Sequence, residues 1–470
     1  MNERPNVLLI TADDMNWDAV GAYGCPDPGT TPNLDQLAAD GMCFDYAHVN
    51  ISVCQPSRSA IMTGRYPHRN GGEGFFRLRT PGIPLIPELL REEGYTVGIL
   101  GKVGHSTPYT EFQWDMTYDM DDLGHGRNPA IYRQYTSKFV QDAKTSGQPF
   151  FLMLNSHDPH RPFYGNDRDE WYEEGNVPAA VAPSRTFTPE EVTTPGFLPD
   201  LPDVRREIAE YYSSVRRCDD TVGAALEALR EAGCERNTLV IFLSDNGMAF
   251  PFSKTNCYLH STKTPWIVRW PETVNPGSRD STHFVSGIDL MPTILDAAGV
   301  EPPSGMDGNS FLPLLRGEKQ DGRDFVFTQF HQTAAKCNYP MRCVQNHRFG
   351  YIFNPWSNGE RVFKNESQSG RTMKAMQAAA EDDPDIAERV NMFLYRVPEE
   401  LYDFKNDPHA LTNLVDDPRY DAELKKLQAR LEKWMEETGD PALEAFRNRA
   451  NRASLEAFMH EEARTLNGQC

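Results

Sequence analysis

The sequence predicts an α/β protein, with a mixed, mostly parallel sheet sandwiched by helices and a smaller α+β region at its C-terminal end. Three observations predict it. Short apolar runs recur with the composition of buried parallel strands. Stretches of helical spacing alternate with them, the pattern that lays helices on both faces of such a sheet. From about residue 325 the alternation stops, and short strand-like pieces are followed by one periodic helix.

The first apolar run, residues 6–10, is followed directly by Asp13 and Asp14. The second, 96–100, leads to Lys102 and His105, and the third, 150–154, leads to His157 and His160. The fourth, 239–243, ends at Ser244-Asp245-Asn246-Gly247. Each run thus delivers polar residues just past its carboxyl end, the edge at which open α/β sheets bind ligands. Helices are predicted over 33–40, 84–93 and 204–232, where apolar residues recur at helical spacing. Residues 163–203, rich in proline and acidic side chains, predict a long surface loop walling a pocket. In the C-terminal region, 325–330, 349–353 and 401–404 read as strands and 422–437 as a helix, dividing the chain into 1–324 and 325–470. There are no internal repeats or low-complexity tracts.

The 470 residues suffice for a sizeable core, and 39% hydrophobic with 24% charged residues is the composition of a soluble globular protein. No segment approaches the roughly twenty apolar residues of a membrane span. Met1 runs into the first strand without a signal peptide, which predicts a cytoplasmic protein, or a periplasmic or secreted one whose leader has been trimmed. Nine cysteines without short paired spacings predict neither a disulfide framework nor a zinc site. Apart from Cys54, they are expected to be free thiols. A net charge of −21 argues against nucleic acid and anionic membranes as partners, so cationic residues must concentrate in any pocket that takes an anion.

The most informative segment is Cys54-Gln55-Pro56-Ser57-Arg58, continued by Ser59-Ala60-Ile61-Met62-Thr63-Gly64-Arg65. It resembles the signature at which type I sulfatases have a cysteine oxidised to formylglycine by a maturase. The resemblance implies an alkaline-phosphatase-like fold and a sulfatase acting on a sulfated saccharide. Arg58 lies one helical turn after Cys54, so the two share a side of a helix predicted to start near Pro56. Near a helix N-terminus, where backbone amides favour anions, Arg58 is placed to steady the nucleophile and the sulfuryl oxygens.

Asp13, Asp14, Asp245 and Asn246 brought to one sheet edge would repel without a cation among them, and an all-oxygen set suits Ca²⁺ or Mg²⁺. By resemblance the quartet, with the formylglycine made from Cys54 as a further ligand, holds calcium, with magnesium the lesser candidate. The resemblance also implies that Lys102 binds sulfate, that His105 assists at the formylglycine, that His160 protonates the leaving group and that Lys254 contacts the transferring sulfate. His157 and Arg342 are further candidates for substrate binding, and Arg342 alternatively pairs with an acidic neighbour and holds the domains together. In the implied mechanism a formylglycine hydrate attacks sulfur, and the resulting hemiester expels sulfate by elimination.

Within the family the chain is most similar to the heparan N-sulfatase (sulfamidase) branch, through residues 157–161, 244–256, 339–345 and 401–409. Two departures stand out: Lys254 where that branch is expected to carry Arg, and a Lys102–His105 spacing of three where two is commoner. N-sulfoglucosamine is therefore the first substrate expected. The alternatives are an O-sulfatase for another sulfated glycan and a phosphonate or phosphodiester hydrolase of the same superfamily. A homo-oligomer is compatible with the sequence.

Overall fold

The computed structural model describes residues 4–107, 112–166 and 181–468. Its strands are β1 (Asn6–Asp13), β2 (Met42–His48), β3 (Thr96–Leu100), β4 (Met116–Tyr118), β5 (Phe150–Pro159), β6 (Thr238–Ser244), β7 (Trp266–Arg269), β8 (Ser278–Ser286), β9 (Val326–Gln332), β10 (Asn338–Gln345), β11 (Phe349–Phe353) and β12 (Glu399–Asp403). The first eight form one sheet in the order β4-β3-β5-β1-β6-β7-β2-β8. Pairing is parallel from β4 to β6, antiparallel on both sides of β7, and parallel again between β2 and β8. The alkaline-phosphatase-like α/β class is the one observed.

β1 lies between β5 and β6, with Ile10 opposite Leu154 and Phe242. Its side chains alternate between two apolar layers, because successive residues of a strand point to opposite faces. Leu8, Ile10 and Ala12 pack with Phe139 and Leu229, from the helices Pro129–Ser146 and Pro202–Glu231. Val7 and Leu9 pack on the other face with Leu90 and Ile294, from the helices Ile86–Glu92 and Leu290–Ala298. Burial on both faces explains why the run reads as continuously apolar. Past Asp13 the chain turns out of the sheet through Asp14, whose φ of 70° lies in the left-handed region.

Several of the strands that the sequence pattern does not announce lack an apolar run. β4 has three residues and β8 alternates with exposed positions. β10 carries Pro340, Arg342 and Gln345, all buried; its pairing with β9 shifts register between Asn338 and Met341, where Pro340 sits.

β9 to β12 form an antiparallel sheet in the order β12-β11-β10-β9. The helix Asp421–Thr438 covers one face, setting Leu427, Leu431 and Trp434 against Val344, Tyr351 and Phe353. On the other face Phe330, Met341 and Ile352 join the core that contains Leu8 and Ile10. A bridge from Ile51 to Gln329 ties the small sheet to the segment just before Cys54. Part of the expected 163–203 loop lies outside the described residues. The rest is pinned to the helix Pro202–Glu231, where Ser213 Oγ accepts from the Phe187 amide at 3.0 Å. Cys337 is disulfide-bonded, which corrects the expectation of a free thiol there. Cys470 lies outside the described residues. No helix among those described is long and apolar enough to cross a membrane.

Candidate active site

Cys54 is the first residue of the helix Cys54–Thr63, which starts two residues earlier than Pro56 and ends at Gly64, φ 62°. Every side chain of that helix is buried. Arg58, one turn on, meets Asp245 with Nε at 2.9 Å from Oδ2. Its Nη1 donates to Thr11 Oγ1 at 2.8 Å and to Asn155 Oδ1 at 2.6 Å. The guanidinium thereby joins the carboxyl ends of β1, β5 and β6 to the Cys54 helix.

The carboxylates of Asp13, Asp14 and Asp245 converge within 4.8 Å of one another, all fully buried. Asp13 pairs with the Lys102 ammonium, and the Asp14 amide donates to Asp245 Oδ1 at 3.2 Å. Asn246 donates through Nδ2 to Asp14 Oδ1 at 2.7 Å. Among the described residues, Asp13 Oδ1 and Asn246 Oδ1 are buried and accept no hydrogen bond. A pair of orphaned oxygens beside three carboxylates is a donor set that fits a hard divalent cation. Burial, with Asp13 and Asp14 as like-charged neighbours, pushes Asp245 up to about 8 despite Arg58. Burial alone would also raise Asp13, but Lys102, His160, Arg58 and Lys254 hold it well below the ordinary carboxylate range.

A Cys54 sulfur, an Asp13 oxygen and a His160 ring nitrogen also lie mutually within 4.8 Å. Burial, reinforced by Asp13, pushes the Cys54 thiol well above its ordinary value, so the unmodified side chain is a poor thiolate nucleophile. His160 Nδ1 lies 2.6 Å from the Arg161 carbonyl, which makes Nδ1 the donor and turns Nε2 toward Asp14 and Glu366. Lys254 Nζ donates to Asp14 Oδ2 at 2.8 Å and to Glu366 Oε2 at 2.9 Å. His105 flanks the cluster. Its Nδ1 is buried without a hydrogen-bond partner among the described residues, and burial together with Lys102 pushes its pKa down to about 3.

Two candidates for substrate binding have other partners, and for Arg342 the ion pair with an acidic neighbour is the alternative observed. His157 is 8% exposed and supports Lys102 from behind: its Nε2 accepts the Lys102 amide at 3.2 Å, where Lys102 takes a left-handed φ of 50°. Burial and Lys102 hold His157 well below its ordinary value, as an acceptor nitrogen requires. Arg342 lies in β10 with no exposed surface and pairs with Asp440, Nη2 to Oδ1 at 2.8 Å. Asp440 follows the helix Asp421–Thr438, so the pair ties the end of that helix to the small sheet, and His68 and Cys257 of the N-terminal part lie close enough to feel its charges.

Three participants escape the sequence pattern. Thr11 and Asn155 are polar residues inside otherwise apolar strands, a signal that marks the sheet edge once noticed. Glu366 carries no such signal. It opens a short turn, Glu366–Ser369, 112 positions from the Lys254 it meets.

The sulfatase family model matches residues 5–300, and that of the N-sulphoglucosamine sulphohydrolase C-terminal region matches 248–360. The chain is 33% identical to human N-sulphoglucosamine sulphohydrolase, over 93% of its own length and 91% of that protein. It is 28% identical to an ulvan-active sulfatase of Formosa agariphila, over 94% of this chain and 82% of that one. Among solved structures it superposes with a TM-score of 0.68, at 19% identity, on a protein in complex with its substrate D-glucosamine-2-N,6-O-disulfate, covering 93% of this chain and 99% of that one.

Proposed function

The chain belongs to the sulfatase family, and on that premise we propose that it hydrolyses the N-sulfate of a glucosamine residue in a sulfated saccharide. The observation that carries the chemistry is the convergence of Cys54, Asp13 and His160 within 4.8 Å at the N-terminus of a buried helix. The substrate class is supported by the C-terminal family match and by the identity to the human sulphohydrolase along nearly the whole chain.

Asp13, Asp14, Asp245 and Asn246 would hold a divalent cation, Ca²⁺ by preference, which when bound offsets their mutual repulsion and acidifies a neighbouring hydroxyl. Oxidation of Cys54 to formylglycine by a maturase would supply, as the hydrate, a hydroxyl nucleophile in place of the inert thiol. The surrounding side chains do the rest. Lys102 and Lys254 present ammonium groups to the sulfuryl oxygens, and Arg58 fixes Asp245 and the helix start so that neither moves as charge develops. His160 delivers a proton from Nε2 to the departing nitrogen. His105, with no hydrogen-bond partner at Nδ1 among the described residues, would take a proton on the nucleophile side.

The test is expression with and without a maturase, followed by mass spectrometry of the Cys54 peptide and kcat/KM on glucosamine N-sulfate, 6-O-sulfated N-acetylglucosamine and galactose sulfates. We expect activity only in the modified protein and a preference for the N-sulfate. Full activity with an unmodified thiol would refute the chemistry, and preference for an O-sulfate would refute the substrate alone.

A further inference from the structure

Glu366 reaches the site from the C-terminal part of the chain, and its environment differs from that of the other carboxylates. The side chains of Asp13, Asp14 and Asp245 have no exposed surface, whereas Glu366 is 28% exposed and His160, its neighbour, 22%. These two groups therefore border the open side of the cluster, where the saccharide must lie once its sulfuryl group faces Cys54. Glu366 Oε2 accepts from Lys254, and Oε1 stands 3.6 Å from His160 Nε2.

The turn that carries it is firmly held. Asn365 Nδ2 donates to Thr255 Oγ1 at 2.7 Å, and Ser367 Oγ donates to Asn365 Oδ1 at 2.8 Å. Just beyond, Glu207 of the long helix accepts from the Arg371 and Thr372 amides at 3.0 and 2.7 Å, anchoring the start of the helix Arg371–Ala379. Preorganisation of this kind is what a discriminating contact needs.

Resting on the N-sulfate reading above, we infer that Glu366 is a specificity-determining residue that selects a sulfamate over a sulfate ester at the bridging atom. The bridging nitrogen of a sulfamate carries a hydrogen, and a bridging ester oxygen carries only lone pairs. A carboxylate beside the proton donor accepts from the first and repels the second. As the formylglycine hydrate hydroxyl would form its bond to sulfur, the N–S bond breaks, its electron pair passes to nitrogen and the His160 proton joins it. The product is an amine, which takes a further proton from solvent to become an ammonium, and Glu366 stands where that positive charge appears.

The experiment compares maturase-treated wild type, Glu366→Gln and Glu366→Asp on glucosamine N-sulfate and 6-O-sulfated N-acetylglucosamine. Glu366→Gln is expected to lower kcat/KM for the N-sulfate at least tenfold and for the O-sulfate less than twofold, with Glu366→Asp recovering part of the difference. Equal losses on both substrates would reduce Glu366 to a support for Lys254 and overturn the inference. A wild type that prefers the O-sulfate would instead overturn the substrate reading on which it rests. Product inhibition of the wild type needs no variant: glucosamine is expected to inhibit at least tenfold more strongly than N-acetylglucosamine, and equal inhibition would also overturn the assignment.

Discussion

Arg58 and His160 show how much one side chain decides here. Arg58 directs its guanidinium at Asp245, Thr11 and Asn155, so it orders three strand ends at once. The offset of four residues made its place on the Cys54 side of the helix legible, because four positions span one helical turn whatever the tertiary context, but its three partners were not. His160 was legible as chemistry, but its orientation was not: the Nδ1 contact to the Arg161 carbonyl is a product of the folded loop. Replacing His160 by alanine should lower kcat by about 10²–10⁴-fold on an unactivated saccharide sulfamate, the usual worth of a positioned acid. An aryl sulfate with a good leaving group should lose far less. Steady-state kinetics on the two substrates checks this, and equal losses would remove His160 from the acid role.

At the scale of elements, two buried charge contacts hold helices in place. Removing Arg342 leaves Asp440 buried and uncompensated, which should destabilise the protein by about 3–5 kcal/mol. Denaturant unfolding of Arg342→Ala measures it, with the ratio of kcat/KM between N- and O-sulfated substrates unchanged in the folded enzyme. The second contact is Asp219, on the helix Pro202–Glu231, which accepts from the Asn33 and Leu34 amides at 3.0 and 2.8 Å and so caps the helix Pro32–Ala39. Burial outweighs those hydrogen bonds and raises its pKa to about 7. The native state thus takes up this proton at higher pH than the unfolded chain does, so this group adds stability as pH falls from above 7 toward 4. Relative to Asp219→Asn, the wild type should gain stability between pH 8 and pH 5. A difference that stays constant across that range would rule this out.

For the whole molecule, the quartet of Asp13, Asp14, Asp245 and Asn246 is both a site and a source of strain. Three carboxylates within 4.8 Å, deep in the core, oppose folding unless compensated. Added Ca²⁺ should raise the melting temperature, by an amount equivalent to about 2.7 kcal/mol at a hundredfold excess over Kd. Chelation should abolish turnover, and Asp13→Ala should abolish turnover and remove the Ca²⁺-dependent rise in melting temperature. Calorimetry with and without Ca²⁺ decides it; full turnover after exhaustive chelation would sink the cation assignment.

The sequence by itself determined the parallel strand runs, the Cys54–Arg58 pair and the acidic residues at strand ends, since each rests on local periodicity or on a short motif. It also left Arg342 open between pocket and ion pair. Only the tertiary structure decided that question, turned His157 into a support for Lys102, and brought Glu366 to Lys254 across 112 positions. The physical reason is that burial and partnership of a charged side chain depend on which distant element packs above it, and no local pattern encodes that distance.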